Sequence, residues 1–160
     1  MHIVERSLIE HSVEEAWSVV ASSDFFAVWN KNVKSMHTIG KFREGDRFWT
    51  TYSWKESDST CRTTVVKVVA LELIVLEHSN FQSQNLPPGM IAEECIRVRT
   101  KGKATEVRKD IRVRGGEPWI LAAFAWFITR FGKRTEPDPL PPLVARVLNG
   151  EMKTDAGQLK

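Results

Sequence analysis

The chain has 160 residues, of which 42% are hydrophobic and 27% charged, and carries a net charge of +3. That size and balance suit a folded domain with a real core and exclude wholesale disorder. The mild basicity permits an anionic partner without requiring one. Two cysteines, Cys61 and Cys95, are too few for a disulfide framework and fit a reducing compartment. Six tryptophans and eight phenylalanines stand against one tyrosine, so apolar rings far outnumber phenolic hydroxyls.

Residues 2–11 mix apolar and polar positions as an extended segment does, and no apolar run of signal-peptide length opens the chain. Ser12 offers an N-cap, with Glu15 three residues on to complete a capping box. Val13, Ala16, Trp17 and Val20 then follow at helical spacing. A second short helix is predicted from Ser23-Asp24 to Trp29-Asn30. Strand patterns take over at 33–39, 47–54, 60–70, 71–79, 91–100 and 105–114, with turns at Gly40, at Glu44-Gly45-Asp46 and at Lys101-Gly102-Lys103. The boundary between the middle two falls at a tight bend or bulge near Ala70. In the last strand Val107, Ile111 and Val113 share one face with Lys109, while Arg108, Asp110, Arg112 and Arg114 share the other.

Gly115-Gly116-Glu117-Pro118 reads as the start of a long helix, with proline suited to its first turn. Ile120, Phe124, Phe127, Ile128 and Phe131 form its apolar stripe, widened by Trp119 and Trp126. The apolar segment 119–131 is too short to span a bilayer, which needs about 20 residues. A proline-rich connector precedes a last amphipathic helix bearing Leu143, Val144, Val147 and Leu148. The expected fold class is therefore α+β: one domain over residues 1–150 with a frayed tail at 151–160. A curved antiparallel sheet of six to seven strands wraps a long C-terminal helix, with two short helices between the first two strands.

The segment Ser7-Leu8-Ile9-Glu10-His11-Ser12-Val13-Glu14-Glu15-Ala16-Trp17 resembles the opening of the START-related, polyketide cyclase/dehydrase-like (SRPBCC) superfamily. Trp29-Asn30 after the second helix, Glu44-Gly45 before the third strand and the leucine-rich stretch 140–151 ending in glutamate resemble it in the same order. The resemblance implies a helix-grip fold with a cavity between sheet and helix. It also implies a choice of roles: relatives bind lipids, hormones or flavonoids, cyclise polyketides, or assist respiratory quinones. The chain departs from the common pattern in its unusually aromatic C-terminal helix and in the proline-rich break after it.

Chemical motifs are sparse. His2, His11, His37 and His78 are scattered and show no metal-ligand spacing, and no cofactor motif is present. Cys61 and Cys95 fall on strands that share one neighbour, about 10 Å apart and beyond disulfide reach. Gly115-Gly116 reads as a turn rather than a phosphate cradle. Arg97, Arg99 and Lys101, with Arg108, Arg112 and Arg114 on the next strand, read as a solvated outer face rather than a nucleic-acid surface, because Glu93, Glu106 and Asp110 lie in the same rows.

The expected ligand-binding residues are Trp29, Phe48, Tyr52, Trp54, Ile74, Leu76, His78, Phe124, Phe127 and Phe131, lining a cavity of a few hundred Å3 on the scale of small-molecule pockets. Inward polar candidates are His78, Tyr52, Arg62 and His37, with His78 and Tyr52 the catalytic candidates. The expected function is binding of an apolar or aromatic small molecule, lipid-like or polyketide-like, by a cytoplasmic protein. The alternatives are a cyclase or dehydratase using His78 and Tyr52, and an adaptor docking a protein or membrane through Trp119, Trp126 and Phe131. Homodimerisation through that patch is a milder form of the last.

Overall fold

In the computed structural model, residues 2–30, 33–38, 40–54, 57–82, 89–115 and 140–150 are described, and among them run seven strands and three helices. The first strand, β1 (His2–Ile9), leads into α1 (Val13–Val20) and α2 (Ser23–Trp29). Six strands follow: β2 (Val33–Met36), β3 (Arg47–Trp54), β4 (Ser57–Val69), β5 (Leu73–Gln82), β6 (Ile91–Lys101) and β7 (Ala104–Arg114). The last helix, α3, spans Leu140–Leu148.

All seven strands form one antiparallel sheet in the order β1-β7-β6-β5-β4-β3-β2. From β2 to β7 each strand pairs with the next in sequence, as short turns dictate. The exception is β1, which returns to pair with β7 from His2↔Arg112 to Ile9↔Thr105. Consecutive in sequence, β1 and β2 therefore lie at opposite edges, and the two helices between them span the inner face: α1 meets β6 and β7, and α2 meets β2. Register shifts in β4 between Thr60 and Arg62 and between Val65 and Lys67 add local twist, which helps curl the sheet into a half-barrel.

The helices form where the spacing predicts. Ser12 accepts from the Glu15 backbone N–H at 3.1 Å while the Glu15 carboxylate accepts from the Ser12 N–H at 2.8 Å, closing the capping box. Ala16, Val19 and Val20 are buried by α1, and Phe26 and Trp29 by α2. Phe26 meets Trp29 edge-on at 4.9 Å and Phe42 at 5.5 Å, and Phe42 stacks on Phe48 at 6.0 Å. An aromatic seam thus ties α2 to β3. Val144 and Val147 of α3 are buried, and this helix packs on α1, α2 and β1.

Strict alternation sorts the sheet into two faces. Phe48, Thr50, Cys61, Thr63, Val65, Ile74, Leu76, His78, Glu94, Ile96, Val98, Val107 and Lys109 are buried toward the helices. The bend near Ala70 is a tight turn with Leu71 at φ 63°. Cys61 faces inward and Cys95 outward, on strands that flank β5, and both thiols are free. The long helix expected over 119–131 lies outside the described residues. In place of a single cover, α1, α2 and α3 contribute apolar residues to the core, because each presents a stripe that must be buried. Among the described residues no helix is long and apolar enough to cross a membrane.

Gly115 ends β7 at φ +80°, where a Cβ would stand 2.4 Å from the Gly89 carbonyl oxygen. Gly102, in the β6–β7 turn, has a similar φ of +64° but open space around it. Gly115→Ala should therefore destabilise the protein by more than the roughly 1–3 kcal/mol that backbone strain alone imposes, and by more than Gly102→Ala. Chemical denaturation of the two variants side by side checks the order.

Candidate functional site

Against the otherwise apolar inner face, four strands and α2 bring together one polar cluster. Glu94 sits on β6 between Ala92 and Ile96, and Lys109 on β7 beyond Val107, both on inward rows. The two are 2% exposed, and the Lys109 ammonium lies 3.4 Å from Glu94 Oε1. Asn30, the residue that ends α2, joins them: its amide donates to Glu94 Oε1 at 3.3 Å, and its oxygen accepts from Lys109 Nζ at 3.1 Å. Glu5 of β1 adds a second carboxylate 3.8 Å from the same ammonium.

The other carboxylate oxygen, Glu94 Oε2, faces His78 Nε2 at 3.3 Å and accepts from the Tyr52 hydroxyl at 3.4 Å. Tyr52 Oη is itself 3.2 Å from His78 Nε2, and the two rings meet edge-on at 5.4 Å. On the far side of the imidazole, Nδ1 lies 2.9 Å from the Thr63 hydroxyl, which lies 2.7 Å from that of Thr50. The register makes this possible: Thr63 stands directly opposite His78, and Glu94 is one inward row from Ala92, the residue opposite His78 on the other side.

Charge fixes the direction of these bonds. Burial by itself would raise the Glu94 carboxyl, but the Lys109 charge and the hydrogen bond from His78 outweigh it and bring the group down to about 2. An ionised carboxylate only accepts, so the His78 nitrogen facing it, Nε2, carries the hydrogen. In the uncharged ring Nδ1 then accepts from Thr63, and Thr63 accepts from Thr50. The Tyr52 phenol is held well above its ordinary range, first by burial and then by the Glu94 charge, so it remains a neutral O–H that donates inward. Burial likewise pushes the Cys61 thiol up to about 12, which leaves it a small apolar filler.

The structure brings together most of the residues expected at the site. Trp29, Phe48, Ile74, Leu76 and His78 are all buried on the inner side, and Tyr52 is half-buried beside His78. Trp54 closes β3 opposite Ser57. Phe124, Phe127 and Phe131 lie outside the described residues, as do Trp119 and Trp126. Two other inward candidates are not there. Arg62 has the parity of Trp49 rather than Thr63, so it points outward and its guanidinium stacks over the Trp49 ring at 5.4 Å. His37 follows the end of β2 and is exposed.

Glu94, Asn30, Thr50 and Thr63 are members that the sequence reading did not single out. The Trp29 indole N–H is buried with no hydrogen-bond partner among the described residues. The expected cavity would lie between this face and residues outside those described. Two clefts outlined by described residues lie elsewhere. One of about 460 Å3 runs between His11–Glu15 and the β6–β7 turn, and one of about 370 Å3 lies over Arg97, Arg99, Arg108 and Arg112 on the outer face. On that face the basic stripe holds its own acids: Arg97 and Arg108 pair with Asp110 at 2.9 and 2.7 Å, and Arg99 and Lys101 with Glu106 at 2.6 and 3.1 Å.

No family model matches the chain, and no curated protein is significantly similar to it. Solved structures do resemble it. Protein CV1439 from Chromobacterium violaceum is 10% identical, with 92% of this chain and 96% of that one covered at a TM-score of 0.63. Major latex-like protein 151 from Panax ginseng is 12% identical, with 81% and 93% covered at 0.56. DynU16, a protein in the dynemicin biosynthetic locus, is 14% identical at 0.58, and there the match covers 96% of this chain but 49% of that one. At such identities the likeness is one of fold, and it agrees with the helix-grip expectation.

The depressed Glu94 carboxyl has a measurable consequence. Its folded value lies below the unfolded 4.5, so the stability it contributes is fully present above about pH 4.5 and is lost as pH falls toward 2. Glu94→Gln strands the buried Lys109 ammonium and should cost about 3–5 kcal/mol at neutral pH. The gap between variant and wild type should narrow between pH 4.5 and 2, as followed by urea denaturation at stepped pH. A gap independent of pH would show that Glu94 is not held ionised by the fold.

Proposed function

We propose that the chain binds an apolar or aromatic small molecule on the inner face of the sheet, with Phe48, Ile74, Leu76 and Trp29 giving apolar contact and Tyr52 a polar one. Trp54, Phe124, Phe127 and Phe131 complete the wall on the side of the C-terminal helix. The observation that carries this reading is the pattern of the inner face. It is apolar except for one fully wired polar cluster, with half-buried Tyr52 at the edge, and that is the usual make-up of a small-molecule site. That a neighbour of the same fold is a protein in the dynemicin biosynthetic locus supports a small-molecule role.

A second reading, a cyclase or dehydratase, draws on the 3.2 Å approach of Tyr52 Oη to His78 Nε2. Binding is the better supported of the two. Both ring nitrogens of His78 are already engaged by Thr63 and by Glu94, and the Tyr52 phenol is held against ionisation, so neither group is poised to take a proton.

Native mass spectrometry of the purified protein, with organic extraction of the same sample, tests the proposal and reports the oligomeric state. The expected result is a bound neutral apolar compound, or uptake of added Nile red, with affinity reduced about tenfold or more by Phe124→Ala, since one lost ring contact is worth roughly 1.5–3 kcal/mol. A protein that is empty as isolated and takes up no Nile red overturns it.

A further inference from the structure

We infer that the polar end of the ligand is a hydrogen-bond donor on an uncharged group, namely a hydroxyl, and that carboxylate ligands such as fatty acids are excluded. The inference rests on the binding reading above and specifies its chemistry. It follows from a count of where each hydrogen in the cluster goes.

Every donor of the sheet cluster is turned inward. The Tyr52 O–H goes to Glu94 Oε2, the His78 Nε2–H faces the same oxygen, the Asn30 amide goes to Glu94 Oε1, and the Lys109 ammonium is held by Asn30 Oδ1 and by the carboxylates of Glu94 and Glu5. Thr63 donates to His78 Nδ1 and Thr50 to Thr63. Among these groups only Tyr52 is half-buried rather than buried or turned away, and with its hydrogen committed to Glu94 its oxygen offers a lone pair. A ligand group that meets Tyr52 must therefore donate. A ketone, ether or carboxylate would face lone pair against lone pair.

Charge points the same way. The carboxylates of Glu5 and Glu94 outnumber the Lys109 ammonium two to one within the cluster, so an anionic ligand head would enter a site already in negative excess. A hydroxyl also accepts, so it can serve the Trp29 indole N–H, which has no partner among the described residues. A carboxylate could serve the indole but not Tyr52. Discrimination of this kind comes from the unpaired polar group that the wrong ligand leaves behind.

The test uses three ligands with one apolar body: 2-naphthol, 2-methoxynaphthalene and 2-naphthoate, titrated into the full chain at neutral pH and read by calorimetry. The expected order is naphthol tightest, its methyl ether about tenfold weaker, as for the loss of one hydrogen bond, and naphthoate weakest. In Tyr52→Phe, checked for native folding by its thermal transition, naphthol and its ether should bind alike. If the wild type binds the ether or the naphthoate as tightly as naphthol, the donor inference is wrong while the apolar site stands. If none of the three binds and Nile red is refused as well, the binding reading fails and this inference with it. The wild-type comparison decides the matter even where Tyr52→Phe does not fold.

Discussion

A lysine ammonium and a glutamate carboxylate, each almost wholly removed from water, face each other across adjacent strands in the middle of this sheet. Neither ion survives such burial alone, since desolvation costs several kcal/mol per charge. Each is compensated by the other and by a ring of neutral donors and acceptors. Asn30 bridges both, Glu5 shares the ammonium, and His78 and Tyr52 take the carboxylate's second oxygen. The ion pair thus sets the orientation of everything around it. With Glu94 ionised, the histidine tautomer, the direction of the threonine chain and the inward turn of the tyrosine hydroxyl all follow.

The same pair ties distant parts of the chain. Asn30 ends α2, Glu5 lies on the edge strand β1, and Glu94 and Lys109 lie on β6 and β7. A shift of α2 relative to the sheet would therefore uncouple Asn30 from two buried charges at once. The outer face handles charge differently. Its arginines neutralise Glu106 and Asp110 near water, where screening keeps each pair worth little. Inside, where the dielectric is low, the same kind of contact decides geometry. Carboxylates and cations occur on both faces of β6 and β7, but only the inner ones constrain what else can bind beside them.

Much of this architecture is legible in the sequence, and for identifiable reasons. The Ser12 and Glu15 spacing marks the start of α1, and period-two alternation marks β6 and β7. Lys109 stands out as a charge on the apolar row of its strand. The same parity puts Glu94 on the inward row with Ala92 and Ile96, and two opposite charges on inward rows of neighbouring strands are a pair waiting to be matched. What parity cannot supply is register. Whether Lys109 meets Glu94 depends on turn lengths and bulges, and the return of β1 to β7 is a long-range pairing with no local signature. Arg62 shows the converse error: one residue of offset turns an inward candidate into an outward one, next to Thr63, which takes the inward place. His37 fails for a different reason, lying just past the end of its strand.

The proton on His78 reports the whole arrangement in one spectrum. A long-range proton–nitrogen NMR correlation of the imidazole at neutral pH should show hydrogen on Nε2, the nitrogen that faces Glu94. A bare Nε2, with the hydrogen on Nδ1 toward Thr63, would mean that Glu94 carries a proton and that the buried ion pair does not order the site.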